Sequence, residues 1–266
     1  MKKKFTKFGK TFKKIAFSSL SIILFIALWQ TASSTGVLNK AIIPQPTDVF
    51  SEIIKKIQDG TFIKHTVLTL KRAGIGFFYA LIMGIPAGFI LGGIFKTATK
   101  VLMPLLKLLE KLNPFALFPI FMMLFGIGEA CKEILVFWVT LWPILFHSIA
   151  GTQGIEPVMV KSAKSMGATG GKLFFKVTLP AATPDIFTGI KLGVQIAFFM
   201  VVSAEIVGST AGLGWFIWTS QHNYRIISLY AGTIFIAILG LIINKIFTKL
   251  ESRFLVWKQS AFDVME

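Results

Sequence analysis

Charge is scarce in this sequence, and acid is scarcest: the 266 residues include 12 Asp and Glu against 28 Lys and Arg, and the four types together make up 15% of the chain. A soluble domain carries about a quarter charged residues. The shortage, with 54% hydrophobic residues and a mean hydropathy of +0.73, excludes an ordinary water-soluble globule and marks an integral membrane protein. Cysteine is nearly absent. The single Cys131 cannot form an internal disulfide, and no CxxC or Cys/His cluster exists to hold a metal. His65, His147 and His222 are scattered and make no metal set, and His147 reads as a packed histidine. There is no HExxH, no convergent carboxylate pair, and no nucleophile with a histidine placed to activate it, so a membrane-embedded enzyme lacks its parts. A P-loop is missing too: the nearest phrase, "KFTKFGKT" at residues 4 to 11, has Lys4 where the first glycine is required. No cofactor and no metal are expected on this chain.

Long apolar runs are what the sequence does have. A window of about 19 residues predicts spans near Ile15 to Ala32, Gly74 to Phe95, Leu102 to Phe125, Ile134 to Ile149, Phe187 to Val207 and Ile226 to Phe247. The expected fold is therefore all-α: a polytopic membrane protein of six transmembrane helices with both ends on one side of the lipid bilayer. The third span carries Lys107, Glu110, Lys111 and Asn113-Pro114 and reads as a proline-kinked helix inside a bundle. The net charge of +16 does not point to nucleic acid. Seven lysines (Lys2, Lys3, Lys4, Lys7, Lys10, Lys13, Lys14) stand directly before the first apolar run, where a cytoplasmic anchor places them. That beginning also resembles a signal peptide, and we take it as an uncleaved first span.

The chain then divides into a basic tail at 1–14, a six-helix domain at 15–250 and a C-terminal tail at 251–266, with both termini cytoplasmic in a bacterial plasma membrane. In the outer loop 33–73, "PQPTDVFSEIIKKIQDG" predicts an amphipathic helix capped by Thr47 or Asp48, with Val49, Phe50, Ile53, Ile54 and Ile57 on its apolar side. It either lies on the membrane surface or covers the bundle. No internal repeat recurs. Six helices are few for a complete transporter, so a second copy or partner is implied.

Residues 150–185 form a long basic loop punctuated by glycine between two hydrophobic segments. Gly154, Pro157, Gly167, Gly170 and Gly171 break it into two short helices, near Val158 to Met166 and Lys172 to Val177, with a bend at Gly167; Leu179-Pro180 then ends the second helix. Small Ala163 and Ala168 beside the bend leave room for a partner surface. In "SAKSMGA", nine residues follow Gly167 and lead to Val177-Thr178-Leu179-Pro180. This spacing resembles the cytoplasmic EAA loop of ABC importer permeases: Glu-Ala-Ala, three residues, Gly, nine residues, Ile, any residue, Leu-Pro. One departure is plain, since "EAA" reads "KSA" here, with Lys161 in place of the glutamate. The similarity extends through "IPQPTDVF", "FGIGEACKEIL", "PDIFTGIKLG", "SAEIVG" and "GLGWFI", and in detail resembles the permeases of the nitrate, sulfonate, taurine and bicarbonate group, which also includes carriers for vitamin precursors.

The resemblance implies a non-catalytic transport subunit. It further implies a second permease copy, cytoplasmic ABC ATPase subunits that bind the ATP, and an extracytoplasmic substrate-binding protein delivering a small solute such as a sulfonate, taurine or nitrate, or else a vitamin precursor. Lys161, Ala163, Lys164, Gly167, Ala168, Leu179 and Pro180 would couple the ATPase to the membrane helices. The Ala-Arg-Gly signature of energy-coupling vitamin importers does not occur. Among polar residues within the membrane, Glu205 near the outer end of the fifth span either lines a gate, binds a partner subunit or fixes helix packing. Gln195 and Ser203 on the same helix could share a broad pore-facing side with it. The segment "WFIWTSQHNY" is an aromatic outer loop that either meets a binding protein or sits at the membrane interface.

Overall fold

The computed structural model describes residues 20–254. The basic tail 1–14, the start of the predicted first span and the C-terminal stretch from residue 255 lie outside the described residues. Every regular element among the described residues is helical: α1 (Leu20–Ser34), α2 (Pro46–Gln58), α3 (Thr61–Phe89) with a π-helical turn (Ile90–Ile94), α4 (Lys96–Glu110), α5 (Pro114–Phe125), α6 (Glu129–Gln153), α7 (Pro157–Ser165), α8 (Gly170–Leu173) with a second π turn (Phe174–Thr178), α9 (Leu179–Gly208), α10 (Leu213–His222) and α11 (Ile226–Phe254). Four helical stretches are long and apolar enough to cross a membrane: Thr61–Ile94, Glu129–Gln153, Gly170–Gly208 and Ile226–Arg253. The pair α4 and α5 qualifies as a fifth only if counted together, and α1 is a shorter apolar helix over its described length.

Two compact units emerge. The first holds the described residues up to Phe62 together with Phe216–Phe235. Its core is Val49, Ile53, Phe62, Phe216 and Ala231. Phe62 stacks on Phe235 at 4.3 Å between ring centroids and meets Phe216 edge-on at 5.1 Å, both favoured aromatic geometries. The helix expected over "PQPTDVFSEIIKKIQDG" is present as α2, but it starts at Pro46, whose fixed φ suits the first helical position, and neither Thr47 nor Asp48 caps it. Val49 and Ile53 are buried, whereas Phe50, Ile54 and Ile57 are exposed. The helix therefore sinks only half of its apolar side into this unit.

The second unit comprises Ile63–Trp215 and the chain from Ile236. Lipid tails are as apolar as leucine, so helices associate there by close van der Waals packing between small residues. On α3 the series Gly76, Gly84, Gly88 and Gly92 faces α6: a β-carbon at Gly88 would collide with Cβ of Ser148, and one at Gly84 would lie 2.9 Å from Ile144 Cγ2. The α6–α9 pair is built likewise, for a β-carbon at Gly189 would come within 2.9 Å of the Pro143 carbonyl.

Three boundaries depart from the sequence expectation. α3 begins at Thr61, where the Asp59 carboxylate accepts the Thr61 amide at 2.9 Å, well before Gly74. Lys64, Lys71 and Arg72 lower the hydropathy of that stretch without breaking its helix. The predicted kinked third span is instead two helices meeting at 88°. Pro114 disfavours a helical Asn113, Asn113 is extended, and its side chain accepts the Phe115 amide at 2.9 Å, which caps a new helix in a new direction. Finally, Leu179-Pro180 does not end a helix. Helix runs without a gap from Gly170 to Gly208, and the π turn at Phe174–Thr178 takes up the disruption of a proline that cannot donate.

Gly88→Leu is expected to destabilise the chain by about 1–3 kcal/mol, the usual range for overpacking. Gly74→Ala, where nothing lies within 4 Å of an added β-carbon, should be neutral or slightly stabilising. Thermal unfolding in detergent, followed by size-exclusion chromatography, checks both. Equal midpoints for the two variants would refute the close α3–α6 approach.

Candidate functional site

Gly167 has φ +81, and the hydrogen bonds around it form one motif: the Gly167 amide donates to the Lys164 carbonyl at 2.9 Å and the Ala168 amide to the Ala163 carbonyl at 3.0 Å. This is a Schellman C-cap, which places its left-handed residue, usually glycine, just past the helix and often a hydrophobic pair at the positions held here by Ala163 and Ala168. Ala163 is 5% exposed and Ala168 is half-buried within the chain itself. Ala163 therefore packs inward under the turn. What the loop presents outward is Lys161, Lys164, Lys172 and Lys176 beside exposed Val158, Met166 and Phe175. No ion-pair partner for those four lysines is found among the described residues. Leu179 is half-buried and Pro180 exposed at the first turn of α9.

At the other end of α9, Glu205 is fully buried. Its carboxylate accepts from Arg72 Nη1 at 2.6 Å, from Thr69 Oγ1 at 2.9 Å and from the Gly214 amide at 2.9 Å. The segment after α9 is held against it. The Gly212 amide donates to His65 Nδ1 and the Leu213 amide to Thr69 Oγ1, both at 3.0 Å, so three consecutive amides are satisfied by three side chains. The carboxylate occupies the space that β-carbons at Gly212 and Gly214 would need, and Gly212 also has φ +123. "GLG" is thus a steric requirement of this contact. Arg72 makes four hydrogen bonds: besides Glu205, Nη1 donates to the Ala211 carbonyl at 2.7 Å, Nη2 to Glu129 Oε1 at 2.7 Å, and Nε to Glu129 Oε2. Lys132 joins Glu129 to Ser209 Oγ, each at 3.1 Å. The cluster balances two cations with two carboxylates, which is how charges persist in apolar surroundings. Of its four charged members only Glu129, 54% exposed, reaches the surface.

The three polar residues grouped on one pore-facing side are not brought together. Gln195 donates to Asn244 Oδ1 at 2.6 Å, Ser203 turns back to the Phe199 carbonyl at 2.9 Å, and Glu205 enters the charge cluster. Sequence reading missed Arg72, Thr69, His65, Glu129 and Lys132, the first three because they were placed in a loop. Their spacing was the available signal: 65, 69 and 72 fall on one helical face, and Glu129 precedes Lys132 by three residues.

Long apolar helices with two short basic helices between two of them are the build of a polytopic membrane protein. The chain belongs to the family of binding-protein-dependent transport system inner membrane components, whose model matches residues 84–256, and it is an ABC importer permease. It is 30% identical over 251 residues to a putative ABC transporter permease of Methanocaldococcus jannaschii (92% of each chain). It is 26% identical over 250 residues to the taurine transport system permease of Escherichia coli (92% of this chain, 90% of that one). It is 29% identical over 237 residues to the putative aliphatic sulfonates transport permease of Bacillus subtilis (89% and 86%). A chain of the inward-facing MetNI methionine ABC transporter shares the fold, with a TM-score of 0.64 at 15% identity over 75% of this chain and 98% of that one.

Glu205→Ala should cost about 3–5 kcal/mol, since it leaves Arg72 in part unpaired. The double variant Arg72→Met with Glu205→Leu should unfold at a higher temperature than the sum of the two single effects predicts. A double-mutant cycle on thermal midpoints checks this, and strict additivity would show that the pair is not coupled.

Proposed function

We propose that this permease carries a small anion, of the sulfonate, taurine or nitrate kind, delivered by an extracytoplasmic binding protein and driven by separate cytoplasmic ATPase subunits that dock on residues 150–185. The observation that carries the docking reading is the mixed basic and apolar face of the two short helices, with exposed Met166 and Phe175 left outside the bundle. An apolar surface of this kind beside lysines fits a protein partner better than solvent. In this arrangement Gly167 turns the loop, Lys161 and Lys164 face the ATPase, and Ala163 with Ala168 stiffens the turn from inside. Leu179 and Pro180 begin the helix that carries the movement inward. Because helix is continuous from Gly170 to Gly208, a push on the loop reaches the Glu205 cluster through one rigid body. We further infer that a second copy of this chain completes the pathway, that the chain crosses the membrane six times with the described α1 as part of the first span, and that both termini are cytoplasmic. The anionic substrate class rests on the relatives, one named for taurine and one for aliphatic sulfonates.

Reconstitution in proteoliposomes with its partner ATPase and binding protein should give ATP-dependent uptake of taurine or an alkanesulfonate. Uptake confined to solutes that carry no sulfonate or other anionic group would sink the substrate reading. A β-carbon added at Gly167 meets no atom within 4 Å in this chain, so the first cost of Gly167→Leu is the left-handed backbone, about 1–2 kcal/mol. The protein should insert normally yet lose ATPase binding and uptake. Wild-type uptake by that variant would reduce the loop to a connector. Lys161→Glu should weaken ATPase association, and a carboxylate-to-lysine change in the ATPase should restore part of it, by about 0–1 kcal/mol if the pair is solvent-exposed. A charge-swapped pair no better than the single changes would remove the ion-pair idea.

A further inference from the structure

α10 ends in the same kind of cap as α7. The Arg225 amide donates to the Ser220 carbonyl at 2.8 Å and the Tyr224 amide to the Gln221 carbonyl at 3.1 Å. Tyr224 therefore stands at the left-handed position, with φ 54, where Gly167 stands in the other cap. It is the one residue other than glycine with positive φ among those described. A bulky aromatic side chain is disfavoured there, and the strain is unrewarded inside the chain because Tyr224 is 87% exposed. An exposed tyrosine kept at a glycine position points to a use outside the molecule.

Its surroundings indicate what kind of use. Tyr224 and Arg225 border an open groove of about 500 Å³ whose lining includes Lys40, Glu52 and Ile227. Glu52 is engaged: it accepts the Ser228 hydroxyl at 2.8 Å and lies 3.8 Å from Lys56. Lys40 and Arg225 have no carboxylate partner among the described residues. The groove thus presents two uncompensated cations, an aliphatic floor and one projecting aromatic ring. Tyrosine and arginine are the side chains that dominate binding energy at protein interfaces, and a positive rim selects a negative partner.

We propose that Tyr224, with Arg225 and Lys40, anchors the extracytoplasmic binding protein, meeting an acidic surface whose carboxylates pair with the two cations while the phenol ring enters an apolar dent. The inference rests on the transport reading above, in which one membrane span separates residue 224 from the cytoplasmic loop. The test uses the full complex in nanodiscs and the binding protein that supports its uptake. Tyr224→Gly should weaken that protein's binding about tenfold or more, as loss of a central aromatic anchor does, while leaving the thermal midpoint unchanged or raised. Arg225→Glu should weaken binding more at low than at high salt. Unaltered affinity in Tyr224→Gly, or a lowered midpoint marking the ring as part of the fold, overturns the proposal. Wild-type uptake accompanied by unaltered Tyr224→Gly affinity overturns it alone. Failure of the wild-type complex to transport with any binding protein overturns the transport reading and this inference together.

Discussion

A buried carboxylate must be surrounded by donors or it will not stay ionised in apolar surroundings, and the Glu205 carboxylate imposes that condition on three other stretches of chain. It accepts from Thr69 and Arg72 of α3 and from the Gly214 amide, and through Arg72 it takes in Glu129 at the first turn of α6. α6 begins at Gly128 without a side-chain cap, and the Gly214 amide after α9 would be free without the Glu205 carboxylate. The charge cluster thereby does for one end of the unit what the glycine contacts do along its length.

Those glycine contacts explain why the unit can act as a rigid body. Gly84 and Gly88 of α3, and Gly189 of α9, put neighbouring backbones closer than any β-carbon permits, so relative sliding would force steric overlap before it broke much attraction. Helix from Gly170 to Gly208 is 39 residues, roughly 60 Å at 1.5 Å per residue. It joins the basic loop at one end to the Glu205 cluster at the other. The π turn at Phe174–Thr178 lies near the loop, where it accommodates Pro180 without interrupting the shaft.

How much of this was legible in the sequence depended on the range of the interaction. The bend at Gly167 was readable because a Schellman cap is local and glycine is its usual left-handed residue. Spans were readable as apolar runs, but their ends were not: Lys71 and Arg72 lower a hydropathy average equally whether they sit in water or in a buried ion pair. Asn113-Pro114 announced a disruption, yet the choice between a kink and an 88° break turned on whether Asn113 would cap the following helix. The Glu205 cluster joins residues 133 positions apart, and no periodicity carries that information. Within the chain the Glu205 carboxylate ties α9 to Thr69 and Arg72 of α3 and to the Gly214 amide.

The departure of "KSA" from the family spelling is intelligible in the same terms. Ala163 and Gly167 are internal to the turn, one buried and the other in a backbone region that a larger residue enters at a cost. Changing either alters the shape of the loop itself. Lys161 is exposed on the same short helix, and its ion-pairing capacity is unused within the chain, so exchanging acid for base there leaves the shape intact and alters only what the surface attracts. In the docking reading proposed above, the motif divides into a part that makes the turn and a part that would meet a partner, and the substitution falls wholly in the second. A partner matched to a lysine must differ in charge from one matched to a glutamate, so on that proposal position 161 is where a permease could be fitted to its own ATPase without altering the turn.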